Sequence, residues 1–186
     1  DLFLYRHGIH LGLASIISCI CIFHKTENIQ KYARTFFLIT LFASILIYIP
    51  HLGHSSKGST RWLNLGFSFI QISELVKISS ILYLADFLDR QRLKPNLPLK
   101  RFYSPFILLL FQILLILLEP DFGSTVVICS TLLMMLFISN FPLRFFLILC
   151  FILGLCSIFL VLYAPYRLQR LISYTNPWAT PYGSGY

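Results

Sequence analysis

Charge is scarce in this chain. Of 186 residues, 12% are Asp, Glu, Lys or Arg, roughly half of the ~25% usual in a soluble domain. Acidic residues are scarcer than basic ones, 7 against 15, which leaves a formal charge of +8. With 57% apolar residues and 18 Phe, a soluble domain of this size has no interior large enough to bury its apolar surface. Disorder is excluded on the same ground, because it requires low hydrophobicity. Nucleic-acid binding is not supported either, since it calls for Lys and Arg clustered on a polar face and here they separate apolar runs. Metal-like and disulfide-like cysteine spacings are absent: Cys19, Cys21, Cys129, Cys150 and Cys156 read as small buried hydrophobes within spans. His7, His10, His24, His51 and His54 do not share one face at ligand spacing. No metal site and no cofactor is implied, and metal dependence is left open. An internal repeat and a P-loop are missing as well.

What is present is a series of long apolar runs. Residues 7–24, 35–56, 102–118, 122–143 and 145–166 carry no Asp, Glu, Lys or Arg, over 18, 22, 17, 22 and 22 residues. A helix crossing the hydrocarbon core needs about 20 mainly apolar residues, within a range of about 17–25. A sixth run, Phe69–Leu88, is as long but is interrupted by Glu74, Lys77 and Asp86. Barrel strands are shorter and alternate, so helices are the choice. The expected fold is an all-α, polytopic membrane bundle with about six transmembrane helices, forming a single membrane domain over 1–186. The chain opens with Asp1 rather than Met and ends in a Pro- and Gly-rich stretch. It lacks a signal peptide's basic region and cleavage site, and is expected to be a piece of a longer protein.

Orientation follows from the basic loops. Lys25, Lys31, Arg34, Arg90, Arg92, Lys94, Lys100, Arg101 and Arg144 fall on one side, nine in all; Arg6, Lys57, Arg61, Arg167 and Arg170 fall on the other. The nine-charge side, including the basic loop 89–101, is expected to be cytoplasmic. The loops 51–66 and 164–186 then face outward.

Three outward or intramembrane features could carry chemistry. In Gly53–Trp62, glycines and hydroxyls surround Lys57 and Arg61. Such a loop suits a phosphate or pyrophosphate, with backbone N–H groups converging on the anion and a guanidinium fork beside it; an ordinary solvated turn with two snorkelling cations fits as well. Glu74 and Lys77 stand three apart, share a helix face and can pair. A charge at the bilayer centre costs about 2.5–3.5 kcal/mol on insertion scales, so both are expected to turn into the bundle, around a polar cavity or as a structural pair. In Glu119-Pro120-Asp121-Phe122-Gly123-Ser124, Asp121 can cap the next helix or present a carboxylate to the outer cavity. Asp86 reads as an interfacial residue.

Taken in order, Gly58-Ser59-Thr60-Arg61-Trp62, Ile70-Gln71-Ile72-Ser73-Glu74-Leu75-Val76-Lys77, Pro120-Asp121-Phe122-Gly123, Ala164-Pro165-Tyr166-Arg167 and Asn176-Pro177-Trp178 with Gly183-Ser184-Gly185-Tyr186 closely resemble the shape, elongation, division and sporulation family of bacterial membrane proteins. The tail looks more like the cell-division branch than the elongation branch. The resemblance implies a ten-span inner-membrane glycosyltransferase, multi-pass and placed at the division septum. Its implied substrate is lipid II, the undecaprenyl-pyrophosphate-linked disaccharide-pentapeptide. Its implied partners are a class B penicillin-binding protein, other division proteins and the membrane, with no nucleic acid. It makes Lys57, Arg61, Glu74, Lys77 and Asp121 substrate-binding residues, and puts the catalytic base in an outer loop beyond Tyr186, so that no catalytic residue lies in this chain. Departures from the family pattern are Ile72 for the usual Pro, Glu119 for a common Gln, Ser124 for Thr and Thr180 for Asp. Glu119 is expected to add a negative charge beside Asp121.

Two other functions compete with a lipid II polymerase. A lipid II flippase would use the same polar pair and phosphate loop, but should show repeats or broken helices around a midplane site. A non-catalytic division scaffold would bind its partner through a helix face.

Overall fold

The computed structural model describes residues 2–49, 53–56, 59–64, 69–93, 99–139 and 141–163. Lys57, the loop 94–98 and the outer tail 164–186 lie outside them. Six helices are found among the described residues: α1 (Leu2–Phe23), α2 (Thr26–Leu46), α3 (Ile72–Leu93), α4 (Leu99–Leu118), α5 (Phe122–Ile138) and α6 (Leu143–Tyr163). The architecture is all-α and polytopic, as expected. Helix α6 is by itself long and apolar enough to cross a bilayer, and α5, with 17 residues, sits at the short end of the spanning range.

The helix bounds depart from the apolar runs, and two of the departures have a clear cause. Helix α2 begins at Thr26 and ends at Leu46, not at 35 and 56, because amphipathic periodicity rather than absence of charge sets its start. Ala33, Phe37, Thr40 and Ser44 are buried along one stripe, while Lys31 and Arg34 stand on the exposed face and Glu27 lies in the first turn, where the helix dipole favours an acid. The sixth run starts as strand: Phe69–Gln71 is β3, and α3 opens only at Ile72. Of the basic segment 89–101, residues 89–93 close α3 and 99–101 open α4.

Between α2 and α3 the chain forms a three-stranded antiparallel sheet, which the reading of 51–66 as a loop did not anticipate. Strands β1 (Gly53–Ser56), β2 (Ser59–Asn64) and β3 lie in sequence order. Ser56 pairs with Ser59, Gly53 with Leu63 across an irregularity at His54/Ser55, and Trp62 with Gln71. The aromatic Trp62 and the Leu63 beside it suit a pleated surface, and the sheet pairs backbone groups that a bare loop would leave open.

The chain divides into two compact units, residues 1–132 and 133–186. In the first, α2 packs on α3 and α4. Phe37 stacks on Tyr83 with ring centroids 4.3 Å apart. A buried polar seam follows the same stripe: Thr40 Oγ1 and Ser79 Oγ lie 2.7 Å apart, and Gln112 Nε2 donates to Ser44 Oγ at 2.7 Å. Tyr48 Oη donates to the Leu115 carbonyl at 2.8 Å. Toward the far end of α3, Arg90 Nε donates to Asp86 at 2.8 Å and Gln30 to Asp89 at 3.0 Å. In the second unit, Phe137 and Phe146 meet at 5.5 Å, and no residue of α6 is buried.

Candidate functional site

The site is built where β2, the start of α3 and the α4–α5 turn converge. Arg61 leaves β2 and directs its guanidinium across the turn. Its Nε donates to the Glu119 carbonyl at 3.3 Å and its Nη2 to the Pro120 carbonyl at 2.6 Å. Its Nη1 stands 3.9 Å from Asp121 Oδ1, a looser contact. The Arg61 side chain keeps 32% of its exposure while that of Asp121 keeps 8%. The guanidinium therefore clamps the turn through main-chain oxygens and still presents part of its edge outward.

Asp121 works as the N-terminal cap of α5. Its Oδ1 accepts from Ser124 N at 3.3 Å, and its carbonyl accepts from Thr125 N at 3.1 Å and Thr125 Oγ1 at 2.9 Å. Burial opposes its charge, but the Ser124 hydroxyl and N–H, the Ser73 hydroxyl and Arg61 together outweigh it, so the carboxyl titrates below the usual range. Of the two readings of the sequence, the structure shows the cap, with Arg61 beside the same carboxylate. Ser73 ties α3 to this corner: Gln71 Nε2 donates to Ser73 Oγ at 3.0 Å, and Ser124 Oγ donates to it at 3.4 Å.

Glu74 and Lys77 pair as the spacing predicts, with Lys77 Nζ donating to Glu74 Oε1 at 2.7 Å. The Glu74 side chain is 59% exposed and that of Lys77 25%, because no described element covers this side of the first turns of α3. Arg61, Asp121 and, through Ser73, the start of α3 are thus brought together; the Glu74–Lys77 pair opens beside them, and Lys57 lies outside the described residues.

Sequence reasoning assigned Glu119 a charge, and the structure argues against it. The residue is 1% exposed, and neither carboxyl oxygen has a hydrogen-bond partner among the described residues. Burial first, and then the neighbouring Asp121, push its carboxyl up to about 8, with Arg61 opposing. The signal was present in the sequence as an acid ending an apolar run directly before Pro-Asp, but its protonation depends first on burial, which tertiary packing decides. The seam of Thr40, Ser44, Ser79 and Gln112 was missed for the same reason.

Comparison with known proteins places this geometry. The sequence model FTSW_RODA_SPOVE, described as "Cell cycle protein", matches residues 1–186. The chain belongs to this family. Among curated relatives, the "Probable peptidoglycan glycosyltransferase FtsW" of Allochromatium vinosum is 39% identical over 181 residues, covering 97% of this chain and 45% of that protein. The protein of the same name from Coxiella burnetii is 40% identical over 181 residues, covering 97% and 49%. A solved chain from a study of polymerization and crosslinking by a peptidoglycan synthase complex superposes with a TM-score of 0.74 at 26% identity, covering 98% of this chain and 54% of its own. The Thermus thermophilus rod shape determining protein RodA superposes with a TM-score of 0.69 at 26% identity, covering 84% and 50%. The family chain described here thus spans about half the length of the curated relatives it matches.

Proposed function

We propose that the protein containing this chain is a peptidoglycan glycosyltransferase that polymerises lipid II during bacterial cell division, in the inner membrane at the septum and with a class B penicillin-binding protein. The observation that carries the reading is the outward corner at Arg61: a partly exposed guanidinium, held from behind by two carbonyls, above the capped N-terminus of α5. A fork held in this way meets a phosphate with its geometry already set, and the helix N-terminus adds favourable field for an anion. Lys57 is assigned to the same loop, and Glu74 with Lys77 to the flank that receives the sugar or phosphate head.

Polymerisation needs three things: a place for the donor's pyrophosphate, cations to take up its charge as it leaves, and a base for the acceptor hydroxyl. Arg61 and Lys57 supply the cations, a stabilisation that is worth most at the developing charge. A positioned base contributes typically 10²–10⁴-fold. Asp121 is committed to its cap and Glu74 to Lys77, and the family resemblance assigns the base to an outer loop beyond Tyr186. The names of the curated relatives favour a transferase over a lipid II flippase or a scaffold.

The test is incorporation of purified lipid II into glycan strands by the full-length protein with its penicillin-binding partner. Arg61→Ala should lower the rate strongly while the complex still assembles. Full activity in that variant would remove Arg61 from the site, and lipid II that crosses the bilayer but is never polymerised would favour the flippase.

A further inference from the structure

Glu119 is a buried acid for which the mechanism above has no use. Its backbone carbonyl receives Arg61 Nε at 3.3 Å, so the guanidinium is engaged by the peptide and not by the carboxyl. Both carboxyl oxygens are buried with no hydrogen-bond partner among the described residues. From the turn that follows α2 the carboxyl is faced by Tyr48, whose hydroxyl donates to the Leu115 carbonyl instead. From β2 it is faced by Arg61 and from its own turn by Asp121. The charged groups at the start of α3, Glu74 and Lys77, are paired with each other, and α5 contributes the hydroxyls of Ser124 and Thr125 to Asp121. An ionised carboxylate in this place would have no donor among the described residues and would lie beside a second negative charge, the arrangement that burial penalises most.

We infer that Glu119 is a positioning residue that serves as the uncharged acid: it fills the space under the Pro120–Asp121 turn and leaves Asp121 as the single carboxylate facing Arg61. With Glu119 neutral, Arg61 and Asp121 sum to zero and the guanidinium edge still attracts an anion. With Glu119 ionised, the three groups sum to −1 and the corner repels one. Its upward displacement to about 8 puts that change just above neutrality. The inference takes from the proposed function only that an anionic lipid headgroup sits at this corner.

The experiment uses the full-length protein with its partner and two readouts. The first is a pH-difference infrared spectrum of wild type against Glu119→Gln. A protonated-carboxyl carbonyl band is expected in wild type at neutral pH, fading as pH rises through about 8, and missing from the variant. The second is lipid II binding against pH. Wild-type affinity should fall across the same range, by up to about tenfold per pH unit once the neutral form is the minor one, while that of Glu119→Gln stays level. Absence of the band at neutral pH overturns the inference, and so does an equal fall of affinity in both proteins. A Gln variant that does not fold at neutral pH overturns it too, because one neutral side chain then replaces another of the same shape. Lipid II that binds as described but is never polymerised defeats the proposed function and leaves this inference standing.

Discussion

Arg61 directs its fork at main-chain carbonyls before any ligand arrives, and this sets what its variants should do. Arg61→Lys keeps the charge but loses the two-pronged hold on Glu119 and Pro120, so polymerisation should fall although the site stays cationic. Arg61→Ala loses both; each hydrogen bond to a charged group is worth about 1.5–3 kcal/mol, an upper range here because the side chain is partly exposed. The rates of the two variants in the lipid II assay separate charge from geometry. The neighbouring carboxyls should respond to pH in opposite senses. Glu119 binds its proton more tightly when folded, so its contribution to stability is full below the ordinary value of 4.5 and is lost as pH rises toward about 8. Asp121 is displaced downward, so its contribution is present above the ordinary carboxylate range and is lost on acidification. Thermal unfolding against pH checks both: Glu119→Gln should gain on wild type as pH rises through this window, by an amount on the order of a few kcal/mol, and Asp121→Asn should cost stability at neutral pH and little in acid.

At the scale of elements, the sheet is pinned to the end of α2 through Gly53. A Cβ added there would collide with the Ile47 carbonyl, and Gly53 N also donates to the Ile49 carbonyl at 3.4 Å. Gly53→Ala should therefore shift β1 and cost about 1–3 kcal/mol, visible as a lower melting temperature and as weaker polymerisation, because β2 and Arg61 move with the hairpin. The polar seam is the other device at this scale. In a membrane, apolar faces alone give helices little reason to choose partners, and interhelical hydrogen bonds average about 0.6 kcal/mol each. Removing one bond, as in Gln112→Leu, should cost little unless Ser44 loses its remaining partner. Ser44 Oγ still donates to the Thr40 carbonyl at 3.0 Å, so the expected loss in unfolding free energy is under about 1 kcal/mol. The seam escaped the sequence reading because Ser and Thr at helical spacing look the same whether they face lipid, their own backbone or a neighbouring helix.

For the molecule as a whole, the expected topology puts 51–66 and 164–186 in the periplasm, on nine basic residues against five. In an otherwise cysteine-free protein, Lys57→Cys should be labelled by an impermeant reagent from the periplasmic side; labelling from the cytoplasm alone would invert the topology. The 186-residue chain by itself should make no glycan polymer, since the carboxylates it contributes are held by a cap, by an ion pair or by burial. Polymer made by the isolated chain would place the base among them.

Membrane class, helix number and the pairing of Glu74 with Lys77 could all be read from the sequence, because each depends on composition or on spacing within one helix. A run of about twenty apolar residues has few alternatives to a spanning helix, and residues three apart meet on any helix. Only the tertiary structure decided that 53–56, 59–64 and 69–71 pair as strands, that Arg61 grips the carbonyls of Glu119 and Pro120, and that Glu119 is buried without a partner among the described residues. The grip of Arg61 depends on groups brought together across 58 or more residues of chain, and the burial of Glu119 on the packing around it. The charge of Glu119 is the clearest instance: its own chemistry makes it an acid, and its surroundings make it neutral.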